Sequence, residues 1–234
     1  VGIFIYAMIK NPYFQINSEQ RKLNVEIIKN CIKIGIPVGG QSALIALSCV
    51  ILQGVVNHFG ATVVATFTAT SRIEQLVQQP FNSLGTAFAA FTGQNIGAGK
   101  IDRVKKGYRK SVLLVAGISC FSLLFMWIFG RVIMNVFVND KAVIEMGINA
   151  LQITSCFYFP VGLIYITRNL LNGAGDTIFS MINGITEVIG RVGFATLFLL
   201  IPIVGIWGVW YTTALTWLIT GTLAFVRYKQ GKWR

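Results

Sequence analysis

Ser111-Val-Leu-Leu-Val-Ala-Gly-Ile-Ser-Cys-Phe-Ser-Leu-Leu-Phe-Met-Trp-Ile-Phe-Gly-Arg131 decides the fold, because nineteen residues pass between Ser111 and Arg131 without one charge. Wound as a helix at 1.5 Å per residue, such a run measures about 30 Å, the thickness of a bilayer's hydrocarbon core. Lipid offers the backbone no hydrogen bonds, so a run of this length reads as a helix that satisfies its own amides. Working outward, five further apolar segments (34–56, 62–92, 142–171, 178–203 and 204–226) join 111–138 as candidate spans. Composition agrees: 54% of residues are hydrophobic, only 12% are charged, and the mean hydropathy is +0.66. A soluble domain needs about twice that share of charge to cover itself.

The fold class read from these runs is an all-α polytopic membrane protein of about six transmembrane helices. Residues 1–9 are apolar but too short to span, and they lack a signal peptide's basic start and cleavage site. They read as the end of a truncated transmembrane helix. Residues 10–33 read as a cytoplasmic loop and an interfacial amphipathic helix, since Leu23, Ile27, Ile28, Cys31 and Ile34 recur at helical spacing among charges. Residues 34–226 form the six-helix membrane lobe, and 227–234 a cytoplasmic tail.

A net charge of +12 raises the question of nucleic acid, but the basic residues sit between apolar runs rather than on a soluble domain. No nucleic-acid partner is expected. If the segments alternate sides, sixteen of the twenty Lys and Arg (those in 10–33, 100–110, at Arg168 and in 227–234) fall on one side. Arg131 and Lys141 fall on the other, while Arg72 and Arg191 lie inside spans. The positive-inside bias puts the C-terminus in the cytoplasm of a multi-pass cell-membrane protein.

Gly93-Gln-Asn-Ile-Gly-Ala-Gly-Lys100 superficially resembles a phosphate loop, but five residues separate Gly93 from Gly99 and Ile101 stands where Ser or Thr is needed. A turn is the better reading: Gly97 and Gly99 end the second span and send the chain into the basic stretch, because Gly tolerates left-handed backbone. Gly173, Gly175 and Asp176 repeat the pattern after the fourth span.

Thr92-Gly-Gln-Asn-Ile-Gly-Ala-Gly-Lys100, with Gln94 inside it, and Leu171-Asn-Gly-Ala-Gly-Asp-Thr177 resemble signatures of the multidrug and toxic compound extrusion (MATE) family. Gly35-Ile-Pro37, Arg72-Ile-Glu74 with Pro80, and Gly205 to Gly208 support the likeness. The resemblance covers the whole chain but only half of the family's architecture, its second, C-terminal six-helix lobe. It implies a cation-coupled (H+ or Na+) antiporter exporting drugs or other amphipathic organic compounds, with the missing N-terminal six-helix lobe, the lipid bilayer and a small-molecule substrate as partners. The family's sodium-type members often carry acids within the seventh and tenth helices. The corresponding spans here offer Gln41 and Gln53, and Glu145 only near an end, so the coupling ion stays open between H+ and Na+.

Charges inside a membrane are costly and usually face a cavity or a partner. In the second span Glu74 shares a helical face with Thr70 and Gln78, while Arg72 points elsewhere. In the fifth, Asn183, Glu187 and Arg191 follow at intervals of four, which permits a Glu–Arg pair. These seven residues, with Gln41, are the cation-coupling or cavity-lining candidates; a purely structural ion pair or interhelical hydrogen bonding is the alternative for each strip. Phe157, Tyr158, Phe159 and Tyr165 are candidates for stacking on flat cations or for plain packing. His58 has no second ligand nearby, the four cysteines are scattered, and no metal site, catalytic residue or cofactor other than H+ or Na+ is expected. With no nucleophile–base pair or metal cluster, an enzyme is not the reading. A lipid-linked oligosaccharide flippase of the same superfamily is the near alternative, for which a basic cavity is required and only Arg72 and Arg191 are on offer; a non-transporting membrane protein is the other.

A cysteine placed at Lys105 in an otherwise cysteine-free protein is expected to resist an impermeant thiol reagent in intact cells and to react once the cells are opened. Labelling from outside would reverse the topology.

Overall fold

A computed structural model describes residues 6, 10, 24–201 and 204–233. Apart from Tyr6 and Lys10, the expectations for 1–9, for 10–17 and for the start of the interfacial helix lie outside these residues, as does Arg234 of the tail. The chain divides into two units, 1–36 and 37–234. In the first, the described stretch begins with Asn24, whose side-chain oxygen accepts from the amides of Glu26 (3.0 Å) and Ile27 (3.3 Å). That caps the otherwise unpaired amides of helix α1, Val25–Asn57. An interfacial helix separate from the first span was expected to end at Lys33. Instead α1 is helical through Lys33 and Ile34, since no residue from Val25 to Ile34 withdraws a backbone donor and Pro37 is accommodated inside the helix.

The second unit continues with α2 (Ala61–Gly97), α3 (Ile101–Phe137), α4 (Lys141–Ser155), α5 (Tyr158–Gly173), α6 (Thr177–Leu199), a 3₁₀ turn (Gly205–Trp207) and α7 (Gly208–Gln230). Four of these helices, α1, α3, α6 and α7, are long and apolar enough to cross a membrane, and α4 and α5, bent by 53° at their junction, are apolar enough together to make a broken span or a re-entrant loop, against the six spans expected. Pro160 stands in the first turn of α5, where its missing N–H would otherwise have continued the helix from α4. Although α2 has 37 residues, Arg72, Glu74, Gln75, Gln78 and Gln79 crowd its middle and lower its mean hydropathy.

The basic stretch after the second span and the C-terminal tail both turn out largely helical. The basic stretch 100–110 belongs to α3 from Ile101 onward, because Gly99 ends α2 and Lys and Arg are good helix formers. The tail is helical to Gln230, and Trp233 packs back with its indole N–H on the Tyr228 carbonyl (3.0 Å).

Helix α5 is the hub, packing on α2, α3, α6 and α7, most extensively on α2. Glycines set that contact. A Cβ on Gly85 would meet Asn169 Nδ2 at 2.6 Å and the Tyr165 carbonyl at 2.9 Å, and one on Gly173 would collide with the Ala89 carbonyl. The two Gly-Ala-Gly turns close alike: Gly99 (φ 70°) and Gly175 (φ 85°) are left-handed, and the amides of Lys100 and Asp176 reach back to the Asn95 (2.7 Å) and Leu171 (2.9 Å) carbonyls. Large apolar side chains such as Leu113, Phe121 and Ile128 remain on the outer surface, as lipid contact requires.

Gly173→Ala is expected to lower stability by about 1–3 kcal/mol, the usual cost of overpacking, and to be read as a lower thermal midpoint of the purified protein. Gly97→Ala, where nothing lies within 4 Å, should leave the midpoint unchanged.

Candidate functional site

A cavity of about 270 Å³ opens inside the lobe between α1, α2, α5, α6 and α7. Its charged lining comes from Glu74 on α2, Arg168 on α5, and Glu187 and Arg191 on α6. Ser71, Gln75 and Gln78 add polar groups, while Phe67, Tyr165 and Trp217 add aromatic faces.

Glu187 is the junction. Its Oε1 accepts from Arg191 Nη2 (2.9 Å) and its Oε2 from Arg168 Nη2 (3.0 Å). Arg168 also donates through Nε (3.2 Å) and Nη2 (2.9 Å) to Asn183 Oδ1, whose amide nitrogen donates to the Thr220 carbonyl on α7 (3.0 Å). Arg191 Nη1 donates to Ser48 Oγ on α1 (3.1 Å) and touches Cys49 Sγ (2.6 Å). The side chains of Arg168, Glu187 and Arg191 are 13%, 6% and 9% exposed, so these charges sit where water screens them little. Two guanidinium groups thus share one carboxylate, and one positive charge is left over.

Glu74 is the fourth charge. It is 8% exposed, and its Oε1 has no hydrogen-bond partner. Thr154 lies beside it, yet donates to its own helix at the Ala150 carbonyl (3.3 Å).

Among the other expected site residues, Thr70, Gln41 and Arg72 fall outside the cavity wall. Thr70 accepts from the Trp210 indole (3.3 Å) and bonds its own backbone, a packing role. Gln41 is buried against Gly184 with its amide nitrogen unpartnered. Arg72 is exposed on the far side of α2 and contributes no charge to the cavity. Gln78 accepts from the Tyr165 hydroxyl (3.0 Å), which places that aromatic in the wall. Tyr158, by contrast, is fully buried packing.

Arg168 corrects the charge count: counted with the cytoplasmic-side cations at the end of the 142–171 segment, it lies one turn inside α5, because the helix runs on to Gly173 and Glu187 offers a buried partner. The available signal was its place three residues before the Leu171 that opens the second Gly-Ala-Gly turn. Asp176, in that turn, pairs with Arg227 of α7 (2.8 Å), and Arg227 also covers the Phe179 ring at 4.8 Å. Gly93 contributes close contact with the Gly173 carbonyl, while Gln94 is exposed and lends only its backbone oxygen to the turn.

A family scan gives MatE over residues 37–197, more than half of the chain. The chain belongs to the MatE family. Among curated MatE relatives, "Probable multidrug resistance protein YpnP" of Bacillus subtilis (strain 168) is 28% identical over 204 residues, 87% of this chain and 45% of its own length. "Multidrug export protein MepA" of Staphylococcus aureus (strain N315) is 22% identical over 88% of this chain and 45% of its own. A crystal structure of MATE in the bent conformation superposes with a TM-score of 0.89 at 21% identity, across 98% of this chain and 52% of that one. The chain therefore spans about half the length of the MATE proteins it matches, one half-lobe of a multi-pass transporter fold.

Because Glu187 serves both arginines, Glu187→Gln should be the most damaging single change at the network, costing about 3–5 kcal/mol as two buried cations lose their counter-charge. Arg191→Gln leaves Glu187 paired to Arg168 and should cost less. Thermal unfolding of the two single variants and the Glu187→Gln/Arg191→Gln double variant checks this; strictly additive losses would mean that the residues do not act as a pair.

Proposed function

We propose that this chain is the C-terminal six-helix lobe of a cation-coupled antiporter of the cell membrane, with its C-terminus in the cytoplasm. It acts with an N-terminal lobe to export drugs or other amphipathic organic compounds. The observation that carries the reading is the buried Glu74 carboxyl, its Oε1 without a hydrogen-bond partner and no cation among the described residues paired to it, at the wall of a cavity whose two arginines share a single acid. Ionised, Glu74 balances the leftover positive charge; with a proton or Na+ bound, it no longer does, and the cavity turns net positive.

That difference supplies the coupling. A cationic substrate and the coupling ion are stabilised by the same carboxylate, so each raises the free energy of the other's binding, and the effect is reciprocal. Phe67, Tyr165 and Trp217 provide apolar and π faces for a flat organic cation. The names of the two relatives, a multidrug resistance protein and a multidrug export protein, support export as the activity. The flippase alternative loses ground, since two acids offset Arg168 and Arg191 and Arg72 stands outside the cavity.

Glu74→Gln keeps the side chain's shape while removing its charge. In the full-length transporter, reconstituted with an imposed H+ or Na+ gradient, it is expected to abolish gradient-driven export while the protein elutes as a folded species. Normal gradient-driven export by the folded variant would assign Glu74 a structural role only.

A further inference from the structure

Helix α3 carries one continuous outer stripe whose character changes at a single point. Arg103, Lys106 and Lys110 are exposed and follow one another at intervals of three and four, so they share a face. The same spacing continues into Leu113, Phe121 and Ile128, exposed to 72%, 67% and 69%. Lys110 and Arg131 bracket about 30 Å of helix, one hydrocarbon thickness, and the basic turns occupy the next ~10 Å, the depth of a headgroup layer. The opposite face is fixed: Tyr108 is buried and hydrogen-bonds Thr167 on α5 (2.9 Å), so the stripe cannot rotate away from the bilayer.

The two ends of this span are neutralised differently. At the far end Arg131 pairs with Glu145 on α4 (2.6 Å). At the near end Asp102 pairs with Lys105 (2.9 Å), and among the described residues Arg103, Lys106 and Lys110 form no ion pair. Three unpaired cations directly above a lipid-facing apolar stripe call for an anion that arrives with its own acyl chains. We propose that this face of α3 is a binding site for an anionic phospholipid, its phosphate held by Arg103, Lys106 and Lys110 and its chains lying along Leu113, Phe121 and Ile128.

The test uses the full-length protein in detergent, titrated with phosphatidylglycerol and with phosphatidylcholine of the same chains, with bound lipid counted by native mass spectrometry. One basic residue near an anionic headgroup gives roughly a fivefold gain, so three give on the order of a hundredfold at low salt. Phosphatidylglycerol should therefore be retained at least tenfold better than phosphatidylcholine, and raising the salt to about 0.5 M should erode that preference by screening. The triple variant R103Q/K106Q/K110Q should lose the preference, while R131Q/K141Q at the other end should keep it. If the triple variant does not fold, the single variants R103Q and K110Q and the salt titration of the unaltered protein decide. A preference that survives both the substitutions and the salt, or no preference in the unaltered protein, would overturn the proposal.

Discussion

Burying one carboxylate between two guanidinium groups constrains everything around it. Glu187 cannot be left without Arg168 and Arg191, nor they without it, since an unpaired charge at this depth costs several kcal/mol. The pairing ties α5 to α6 directly, α1 through Ser48, and α7 through Asn183 and the Thr220 carbonyl. Four helices are thereby held around a space that packing alone would have filled with apolar side chains. The cavity exists because its wall has to stay polar, and Glu74 stands in that wall with its Oε1 unpartnered.

Close packing elsewhere lets the wall be held rigidly. Gly85, Gly93 and Gly173 bring the backbones of α2 and α5 together, so Glu74 and Gln78 on one helix face Tyr165 and Arg168 on the other. The same two helices end in matching left-handed glycine turns, and the second turn presents Asp176 to Arg227 at the end of α7. Turn, helix contact and ion pair thus form one mechanical unit at the basic end of the lobe. The motif glycines do backbone work, which is why they carry no ligand chemistry of their own.

Much of this was legible in the sequence. Apolar run lengths gave the helices, though four of the described helices, or five spans with the bent α4–α5 pair, rather than six are apolar enough to cross a membrane. The Gly-Ala-Gly repeats gave the turns and the family, and four-residue spacing put Glu187 beside Arg191. Partners on other helices were not legible: Arg168 meets Glu187 across nineteen positions, and counting it with the cytoplasmic-side cations hid its burial. Spacing along α2 grouped Thr70 with Glu74 and Gln78, yet only the fold shows that Trp210 claims the Thr70 hydroxyl while the other two reach the cavity. Basic residues likewise read as loop wherever charge was equated with solvent, although α3 and α7 carry theirs on helix that continues past the apolar core.

The protein contains its own reporters for the polar cavity. Both Cys49 and Cys120 are exposed, but Cys49 lines the cavity and touches Arg191, whereas Cys120 lies on α3 within the apolar stretch. The most direct measurement is the rate at which a small water-soluble thiol reagent modifies each cysteine in the membrane-embedded protein, resolved by peptide mass spectrometry. A water-filled cavity predicts that Cys49, which lines it, is reached by the reagent and modified, while Cys120 in lipid stays unmodified. A Cys49 as inert as Cys120 would contradict the existence of a solvent-reached polar cavity in this lobe.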